Sequence, residues 1–179
     1  KSPKYFSTVI GSSISSLINN DEINDINNYR FINGDPLSGS KVEYSDYIGF
    51  YNNCLSVIEE GNNYRMLGWL PFMYNSVPSL SKTSFSWLLS GAKKVNTNLN
   101  GEERAIVVTG EMEKYFPMDI FPMQLIKACI RGDIEKMESL GIYEVIPEDF
   151  GLVDFSCTSK IEAQEIIKSG IEIMLKEVG

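Results

Sequence analysis

Two segments of the chain keep the spacing of an iron–sulfur ligand motif while lacking its ligands. In the motif C-x2-C-x2-C-x3-C-P, cysteine thiolates stand at fixed intervals before a proline. The segment FPMDIFP begins with Phe116 and Pro117, so phenylalanine stands where the last cysteine would be. Counting back at the same spacing reaches Met112, Thr109 and Ile106, and none of these side chains holds iron in such clusters. The first frame therefore has no ligand.

A second frame of the same spacing ends at Cys157, which is followed by Thr158 instead of proline. Its other positions are Val153, Phe150 and Pro147. Because a four-iron cluster normally takes four thiolates, a lone cysteine cannot hold one. Apolar side chains at these positions would instead fill space between helices. The residue types predict a cluster-free helical unit and a colourless protein, although any two helices that begin at proline would offer such frames by coincidence.

Other metal and nucleophile chemistry is restricted by residue types. The chain has no histidine, which removes Ser-His-Asp and Cys-His arrangements and histidine metal ligands. Its three cysteines, Cys54, Cys129 and Cys157, form no CxxC pair, so neither a disulfide framework nor a zinc site is indicated. We expect buried free thiols that pack as small apolar residues, and no hydrolase chemistry.

Composition indicates a folded chain with an acidic surface. The 179 residues are 43% hydrophobic, which is enough to bury a core in one domain or two small ones. The net charge of −8 repels nucleic acid and anionic lipid. No apolar run approaches the roughly 20 residues of a membrane-spanning helix, and the first residues lack the apolar core of a secretion signal. We expect a soluble, cytoplasmic chain.

Residues 1–60 have the pattern of a small β-grasp unit. Residues 4–10, KYFSTVI, alternate with a period of two and predict a strand. Ser12 then suits the N-cap of a short helix, and a brief strand follows at Tyr29–Ile32. This order of a strand, a short helix and further strands predicts an α+β fold that begins with a β-grasp unit.

Residues 61–110 are predicted to form a linking β region. The GNN triplet at 61–63 separates two alternating arms, which indicates a hairpin. RAIVVTG at 104–110 predicts a last strand. Between them, residues 71–100 form a Ser- and Asn-rich connector.

Aromatic and methionine side chains in or near this connector are candidates for a partner contact, because interface hot spots favour aromatic residues. A small core beneath a long loop is the alternative interpretation. The candidates are Trp69, Phe72, Met73 and Trp87.

Residues 111–179 predict a helical C-terminal domain. Pro122 suits the first position of a helix that Gly132 ends, and Asp133 suits the N-cap of a shorter helix that Gly141 ends.

The final helix has the clearest pattern. Ser159 and Glu162 form an S-x-x-E capping box, and apolar residues then recur at helical spacing from Ala163 to Met174. Such a stripe indicates core packing and carries no functional assignment.

An acidic run precedes this helix and comprises Glu144, Glu148, Asp149 and Asp154. The spacing matches no calcium loop, so a solvated helix face is favoured over a cation site or a surface for a basic partner.

Several segments carry a resemblance to a known family. They are RFINGDPLSG, GFYNNCLSVIEEG, LGWLP, NLNGEERAIVVTGEMEKYFPMDIFPMQLIKACIRGD and LGIYEVIPEDFGLVDFSCTSKIE. In this order and spacing they resemble the C-terminal portion of the A subunit of the sodium-translocating NADH:quinone reductase, a bacterial redox-driven sodium pump. The resemblance implies a β-grasp unit of the soluble-ligand-binding type. It also implies a ferredoxin-like helical domain without the cysteine-ligated clusters of related Rnf and complex I subunits.

The resemblance further implies a peripheral subunit on the cytoplasmic side of the bacterial inner membrane. Such a chain holds no cofactor. NADH, flavins, iron–sulfur and ubiquinone belong to the complex and lie on or with other subunits, among which the flavin-bearing membrane subunit is the main expected partner. The whole complex oxidises NADH, reduces ubiquinone and exports sodium. Quinone contact is associated with this family, but no motif places it on residues of this chain.

Two functional hypotheses of different class follow. In the first, the chain is a docking part of the sodium-pumping reductase and is non-catalytic by itself. In the second, it is an autonomous β-grasp module that binds a small soluble ligand. The turn containing Gly34 and Gly39 is the candidate ligand position, and a purely structural bend is the alternative.

Overall fold

The computed structural model describes residues 3–18, 23, 25–61, 66–67, 70, 77–80, 82, 84–88 and 95–178, except the side chains of residues 86 and 178. Two units are distinguished by their internal contacts. Unit 1 comprises Lys1–Tyr64 and Val95–Asn98, and unit 2 comprises Arg65–Lys94 and Leu99–Gly179. The predicted mixture of helices and strands is confirmed. The predicted domain limits at residues 60 and 110 stay predictions.

Unit 1 is built on a three-stranded antiparallel sheet. The strands are β1 (Tyr29–Asn33), β2 (Ser40–Val42) and β3 (Leu55–Glu59). β1 lies between the other two, so that Phe31 pairs with Val42 on one side and with Val57 on the other. Phe31 and Ile32 are buried, as expected for aromatic and β-branched residues of a central strand. The predicted strand at Tyr29–Ile32 is confirmed.

A short helix, α1 (Ile14–Leu17), supplies a further large buried side chain among the described residues of unit 1, because Ile14 is fully buried. Its N-cap is Ser13 instead of the predicted Ser12. Ser12 instead accepts a hydrogen bond at its carbonyl from the Ile48 amide, over 3.0 Å. This bond helps to hold the start of α1 against residues 46–48.

The strand predicted at residues 4–10 is absent. Residues 3–9 have no regular secondary structure, and Tyr5, Val9 and Ile10 are exposed. A strand needs a neighbour that pairs with its backbone, and the sheet of the described residues consists of β2, β1 and β3 alone. Alternation in the sequence therefore gave the wrong result here.

The linking region also differs from its prediction. Residues 104–109 are irregular instead of forming a last strand, with Val107 and Val108 exposed, and the Arg104 amide donates to the Ser159 carbonyl over 2.9 Å. The first arm of the predicted hairpin is β3. Most of the second arm lies outside the described residues, and its last two residues, 66–67, form a turn.

Unit 2 is helical. Its helices are α2 (Pro122–Arg131), α3 (Ile134–Ser139), α4 (Gly151–Ser156) and α5 (Ala163–Val178), with 3-10 turns at Phe85–Leu88, Met112–Lys114, Ile142–Glu144 and Pro147–Phe150. Pro122 begins α2, Gly132 ends it in the left-handed conformation, and the Asp133 carboxylate accepts from the Lys136 amide at the start of α3. These three local predictions are confirmed. None of the described helices has both the length and the apolar composition needed to cross a bilayer.

The capping box predicted for the last helix is wrong. The α5 helix begins at Ala163, and the Ser159 hydroxyl donates to the Ala105 carbonyl over 3.1 Å. The free amides at the start of α5 are satisfied by Asp154 of α4, which accepts from Ala163 N at 2.5 Å and Gln164 N at 3.3 Å. A carboxylate that precedes the helix by nine residues therefore replaces the local cap.

The apolar stripe of α5 packs in the core of unit 2, as predicted, and α5 lies against α2. Ala163, Ile167 and Met174 are buried, and Gly170 is buried beside Cys129 of α2. A Cβ added to Gly170 would lie 2.6 Å from Cys129 Sγ. Glycine is therefore required here for the close approach of two helices.

We predict that Gly170→Ala destabilises the chain. Overpacking costs about 1–3 kcal/mol, and the higher helix propensity of alanine returns up to about 1 kcal/mol, so we expect a net loss of about 1–2 kcal/mol. The measurement is urea unfolding followed by helical circular dichroism. Ser169→Ala, at the exposed neighbouring position, should change the free energy of unfolding by less than about 0.5 kcal/mol.

A second variant tests whether contact between the new methyl group and the Cys129 sulfur causes this loss of stability. In the double variant Cys129→Ala/Gly170→Ala, the loss should be smaller than the sum of the two single losses. Additive losses would show that the contact between Gly170 and Cys129 does not limit the approach of the helices.

Candidate functional site

Residues from both iron–sulfur frames meet in one apolar core of unit 2. Met112 and Phe116 of the first frame and Phe150, Val153 and Cys157 of the second are all buried there. The core thus joins the positions that would carry thiolates in a cluster-binding relative of this motif.

The rings of Phe116 and Phe150 form the central contact between the two frames. Their centroids are 4.7 Å apart and their planes are tilted by 47°. Phe150 is fully buried, and it ends the turn that leads directly into α4. Aromatic pairs at this separation attract each other beyond the area they bury. This pair fills space with carbon, and its side chains have no atom that ligates a metal.

The residues at the remaining frame positions are also not of the type that binds iron–sulfur clusters. Ile106 packs against the core and is partly buried, Thr109 is exposed, and Pro147 is partly buried. Within the described ranges, no group of three or more His, Cys, Asp or Glu side chains is arranged to hold a metal ion.

The cysteines are free thiols, and two of them follow the prediction. Cys129 and Cys157 are buried, whereas Cys54 is exposed, so the prediction of a buried thiol is wrong for Cys54. Burial raises the pKa of Cys129 to about 11. A thiol with that pKa is protonated at neutral pH and is a poor nucleophile.

The acidic run has two kinds of member. Glu144 and Glu148 are exposed, as predicted for a solvated face. Asp149 accepts from the Ile146 amide over 3.0 Å at the start of a 3-10 turn. Asp154 bonds the first amides of α5. The run therefore includes two carboxylates that organise the backbone.

Asp154 is partly buried, whereas Glu144 and Glu148 of the same run are exposed. Burial raises its pKa, an effect that Glu162 reinforces, while hydrogen bonds from Gln164 and from the Ala163 and Gln164 amides act in the opposite direction. The Gln164 side chain donates to Asp154 Oδ2 over 2.9 Å. Asp154 therefore has a structural role, because both of its carboxylate oxygens accept hydrogen bonds at the start of α5.

Of the predicted contact residues, Trp69, Phe72 and Met73 lie outside the described residues. Trp87 is half-exposed in the turn Phe85–Leu88, with Lys82 Nζ 5.6 Å from its ring centroid. Phe85 and Leu88 are also exposed. We call this the Trp87 turn.

The glycine turn of unit 1 is organised by Asp35, which accepts from the Leu37 amide over 2.8 Å and the Ser38 amide over 3.1 Å. The hydrogen bond from the Ser38 hydroxyl is the main reason that the pKa of Asp35 is lowered. A Cβ on Gly39 would lie 2.6 Å from the Asp35 carbonyl oxygen. These contacts favour a structural bend.

One polar atom beside that turn has no partner. Asn33 is 8% exposed, and its Oδ1 is buried without a hydrogen bond among the described residues. A Cβ on Gly49 would lie 2.6 Å from Asn33 Nδ2 and 3.0 Å from Asn52 Nδ2. The absence of a side chain at Gly49 thus lets both amides pack closely against its backbone.

Sequence reasoning did not find a cavity of about 230 Å³ in unit 2. Three segments far apart in the chain form its walls, and they bring together Arg104 and Lys160. The unusual backbone conformation of Lys160, with φ of 54°, is invisible in the sequence. We call this the Lys160 cavity.

Comparison with known proteins gives consistent results. The family model described as the NQRA C-terminal domain matches residues 1–44. The chain is 36% identical over 180 residues to the A subunit of the Na(+)-translocating NADH-quinone reductase of Neisseria meningitidis serogroup C, covering 98% of this chain and 39% of that protein. It is 36% identical over 183 residues to the A subunit of the same reductase from Pasteurella multocida, covering 99% of this chain and 39% of that protein.

A similar relative comes from Haemophilus influenzae strain PittGG, whose A subunit is 34% identical over 178 residues, covering 99% of this chain and 39% of that protein. The chain thus spans about 39% of the length of these curated relatives.

We predict that Asp154 contributes more to the free energy of unfolding at low pH than at neutral pH. Because its folded-state pKa is raised above the unfolded value, the folded chain binds this proton first as the pH falls. The contribution of Asp154 to stability therefore increases as the pH falls through the raised folded-state pKa, and it levels off below the unfolded-state pKa. The measurement is the difference in free energy of unfolding between wild type and Asp154→Asn at pH values from about 7 to about 3.

Asp133→Asn is the matched control, since Asp133 also caps a helix but has a pKa lowered by Lys136. Its contribution is present above the unfolded-state pKa and is lost as the pH falls through the folded-state pKa. The two differences should move in opposite directions. If both decline together with falling pH, the assignment of a raised pKa to Asp154 is wrong.

Proposed function

The chain belongs to the family of the A subunit of the Na(+)-translocating NADH-quinone reductase, and we propose that it is a docking part of a peripheral subunit of that redox-driven sodium pump. The observation that carries this proposal is the alignment with these A subunits along nearly the whole chain. The absence of histidine and the protonated, buried thiol of Cys129 support a role without chemistry of its own.

We assign unit 1 to the β-grasp class and unit 2 to a ferredoxin-like helical class that has lost its clusters. The central β1 strand and the preceding short helix support the first assignment. The meeting of both frames in one core supports the second, since a helical unit that once enclosed metal would keep the geometry around the filled space. Phe116 and Phe150 then occupy positions where sulfur would bind iron.

In this proposal the chain binds no cofactor. The complex oxidises NADH, reduces ubiquinone and exports sodium, with flavins and iron–sulfur centres on or with other subunits. The chain lies on the cytoplasmic side of the bacterial inner membrane and contacts the other subunits, above all the flavin-bearing membrane subunit. A position near ubiquinone is part of the proposal, without assigned residues.

The Trp87 turn is the described surface that best suits a contact with these subunits. Phe85, Trp87 and Leu88 expose 42%, 50% and 57% of their surfaces within one turn. Aromatic side chains are favoured at interface hot spots because they bury a large area with few rotatable bonds. Trp69, Phe72 and Met73 remain proposed members of the same contact on the basis of the sequence.

The second candidate function is an autonomous β-grasp module that binds a small soluble ligand. The unpartnered Oδ1 of Asn33 favours it, because a buried acceptor without a hydrogen bond costs about 1–3 kcal/mol and a ligand donor would offset that cost. The contacts of Asp35 and Gly39 explain the neighbouring bend without a ligand. This structural explanation of the bend favours the docking role. The two functions are separable by experiment.

Capture tests the docking role. An affinity-tagged chain, co-expressed with the remaining subunits of the reductase from the same organism, should retain the membrane subunits through purification in detergent. The triple variant Phe85→Ala/Trp87→Ala/Leu88→Ala should lower the captured amount about tenfold or more, because truncated hot-spot residues typically cost about 2 kcal/mol each. Leu175→Ala is the control, since Leu175 is 67% exposed on α5.

Failure of the wild-type chain to capture any of the other subunits would contradict the docking role. Equal capture by the triple variant would move the contact away from the Trp87 turn. Saturable binding of a polar metabolite by the chain alone, lost in Asn33→Ala, would support the second function instead.

A further inference from the structure

The Lys160 cavity has walls that are fixed by hydrogen bonds within unit 2. The Arg104 amide donates to the Ser159 carbonyl over 2.9 Å, and the Ser159 hydroxyl donates back to the Ala105 carbonyl over 3.1 Å. On another wall, the Tyr115 hydroxyl donates to the Leu80 carbonyl over 3.0 Å. The cavity therefore has a defined shape, as preformed ligand sites do.

Lys160 is held at this cavity in a conformation that is costly for lysine. Its φ of 54° lies in the left-handed region, which only a constraining environment maintains in a residue with a side chain. Its stem lies over Gly101, where an added Cβ would be 3.2 Å from Lys160 Cε. The side chain of Lys160 therefore lies along Gly101, and both residues line the cavity.

The ammonium group of Lys160 is partly buried and forms no ion pair with a carboxylate of the described residues. Burial lowers its pKa, which Cys157 nearby partly counteracts. A bound anion would favour the charged form, because it compensates the water that burial removes. Arg104 on the same rim adds a guanidinium, the group that best matches a carboxylate in a two-point contact.

The other lining residues define the class of anion. Val77 is 7% exposed, and with Phe155 it gives the cavity an apolar side, while Ser79 and Thr158 add hydroxyl groups. Glu102 also lines the cavity and disfavours a second negative charge on the ligand. A singly charged anion with an apolar body fits this combination better than a phosphate dianion.

We propose that the Lys160 cavity binds a small organic monocarboxylate, whose carboxylate lies between Lys160 and Arg104 and whose apolar body contacts Val77 and Phe155. The site is separate from the docking role, because it uses neither the Trp87 turn nor Asn33. The proposed docking role does not require the ligand that would bind in this cavity.

Benzoate is the probe for this site, used with the full 179-residue chain in titration calorimetry. Benzoate should bind in a saturable manner with one site per chain, and neutral benzyl alcohol should bind about tenfold more weakly or worse, because it lacks the charge. Inorganic phosphate should bind more weakly than benzoate. Tighter binding of phosphate, or no saturable binding of benzoate, would overturn the proposal.

Substitutions locate the site. Lys160→Gln keeps much of the side-chain length and the same backbone cost, and it should weaken benzoate binding about tenfold or more. Arg104→Gln changes an exposed side chain and should weaken binding several-fold with an unchanged circular dichroism spectrum. The matched control Lys168→Gln, which removes an exposed lysine beside Glu165 on α5, should leave the affinity unchanged.

Asn33→Ala separates this proposal from the β-grasp ligand, since it should leave benzoate binding intact. Benzoate affinity that is equal in wild type, Lys160→Gln and Arg104→Gln would show that binding occurs elsewhere and would contradict the proposal.

Discussion

The burial of Phe150 against Phe116 is the contact on which unit 2 depends. The two residues belong to sequence segments more than thirty positions apart, and their rings join the turn before α2 to the turn before α4. A buried phenylalanine contributes about 1.5–3 kcal/mol from the apolar area removed from water, and packing at interior density adds to this. The stability of this unit is thus explained by ordinary apolar packing, with α2 and α5 close enough that only glycine fits at residue 170.

Signals at the ends of α2 and α3 predicted structure correctly, whereas the capping signals at α1 and α5 and the alternation of two segments did not. Pro122, Gly132 and Asp133 begin, end and cap helices through their own backbone chemistry, so the sequence reveals them. The alternation of residues 4–10 and 104–110 looked like strands, but a strand forms only beside a neighbour. The start of α5 is capped by Asp154 of α4, a pairing that local capping rules do not contain. The Lys160 cavity was missed because three distant segments form it.

The candidate sites also combine features that the sequence shows with features that only the fold shows. The loss of ligand cysteines was readable from residue types, and the structure adds that both altered frames meet in a single core. On the proposed function, a scaffold of this kind keeps helices in place for contact with other subunits while electrons move through cofactors bound elsewhere. The unpartnered amide oxygen of Asn33 and the partly buried ammonium of Lys160 required coordinates, because burial without a partner is a property of the fold and not of a motif.

The most direct test of this account is the free energy of unfolding of Phe150→Ala, measured by urea denaturation followed by helical circular dichroism. Phe121→Ala is the matched comparison, since Phe121 is 63% exposed whereas Phe150 is fully buried. If apolar packing across the two frames holds unit 2 together, Phe150→Ala loses about 3–5 kcal/mol and Phe121→Ala loses less than about 1 kcal/mol. Similar small losses in both variants would contradict the account.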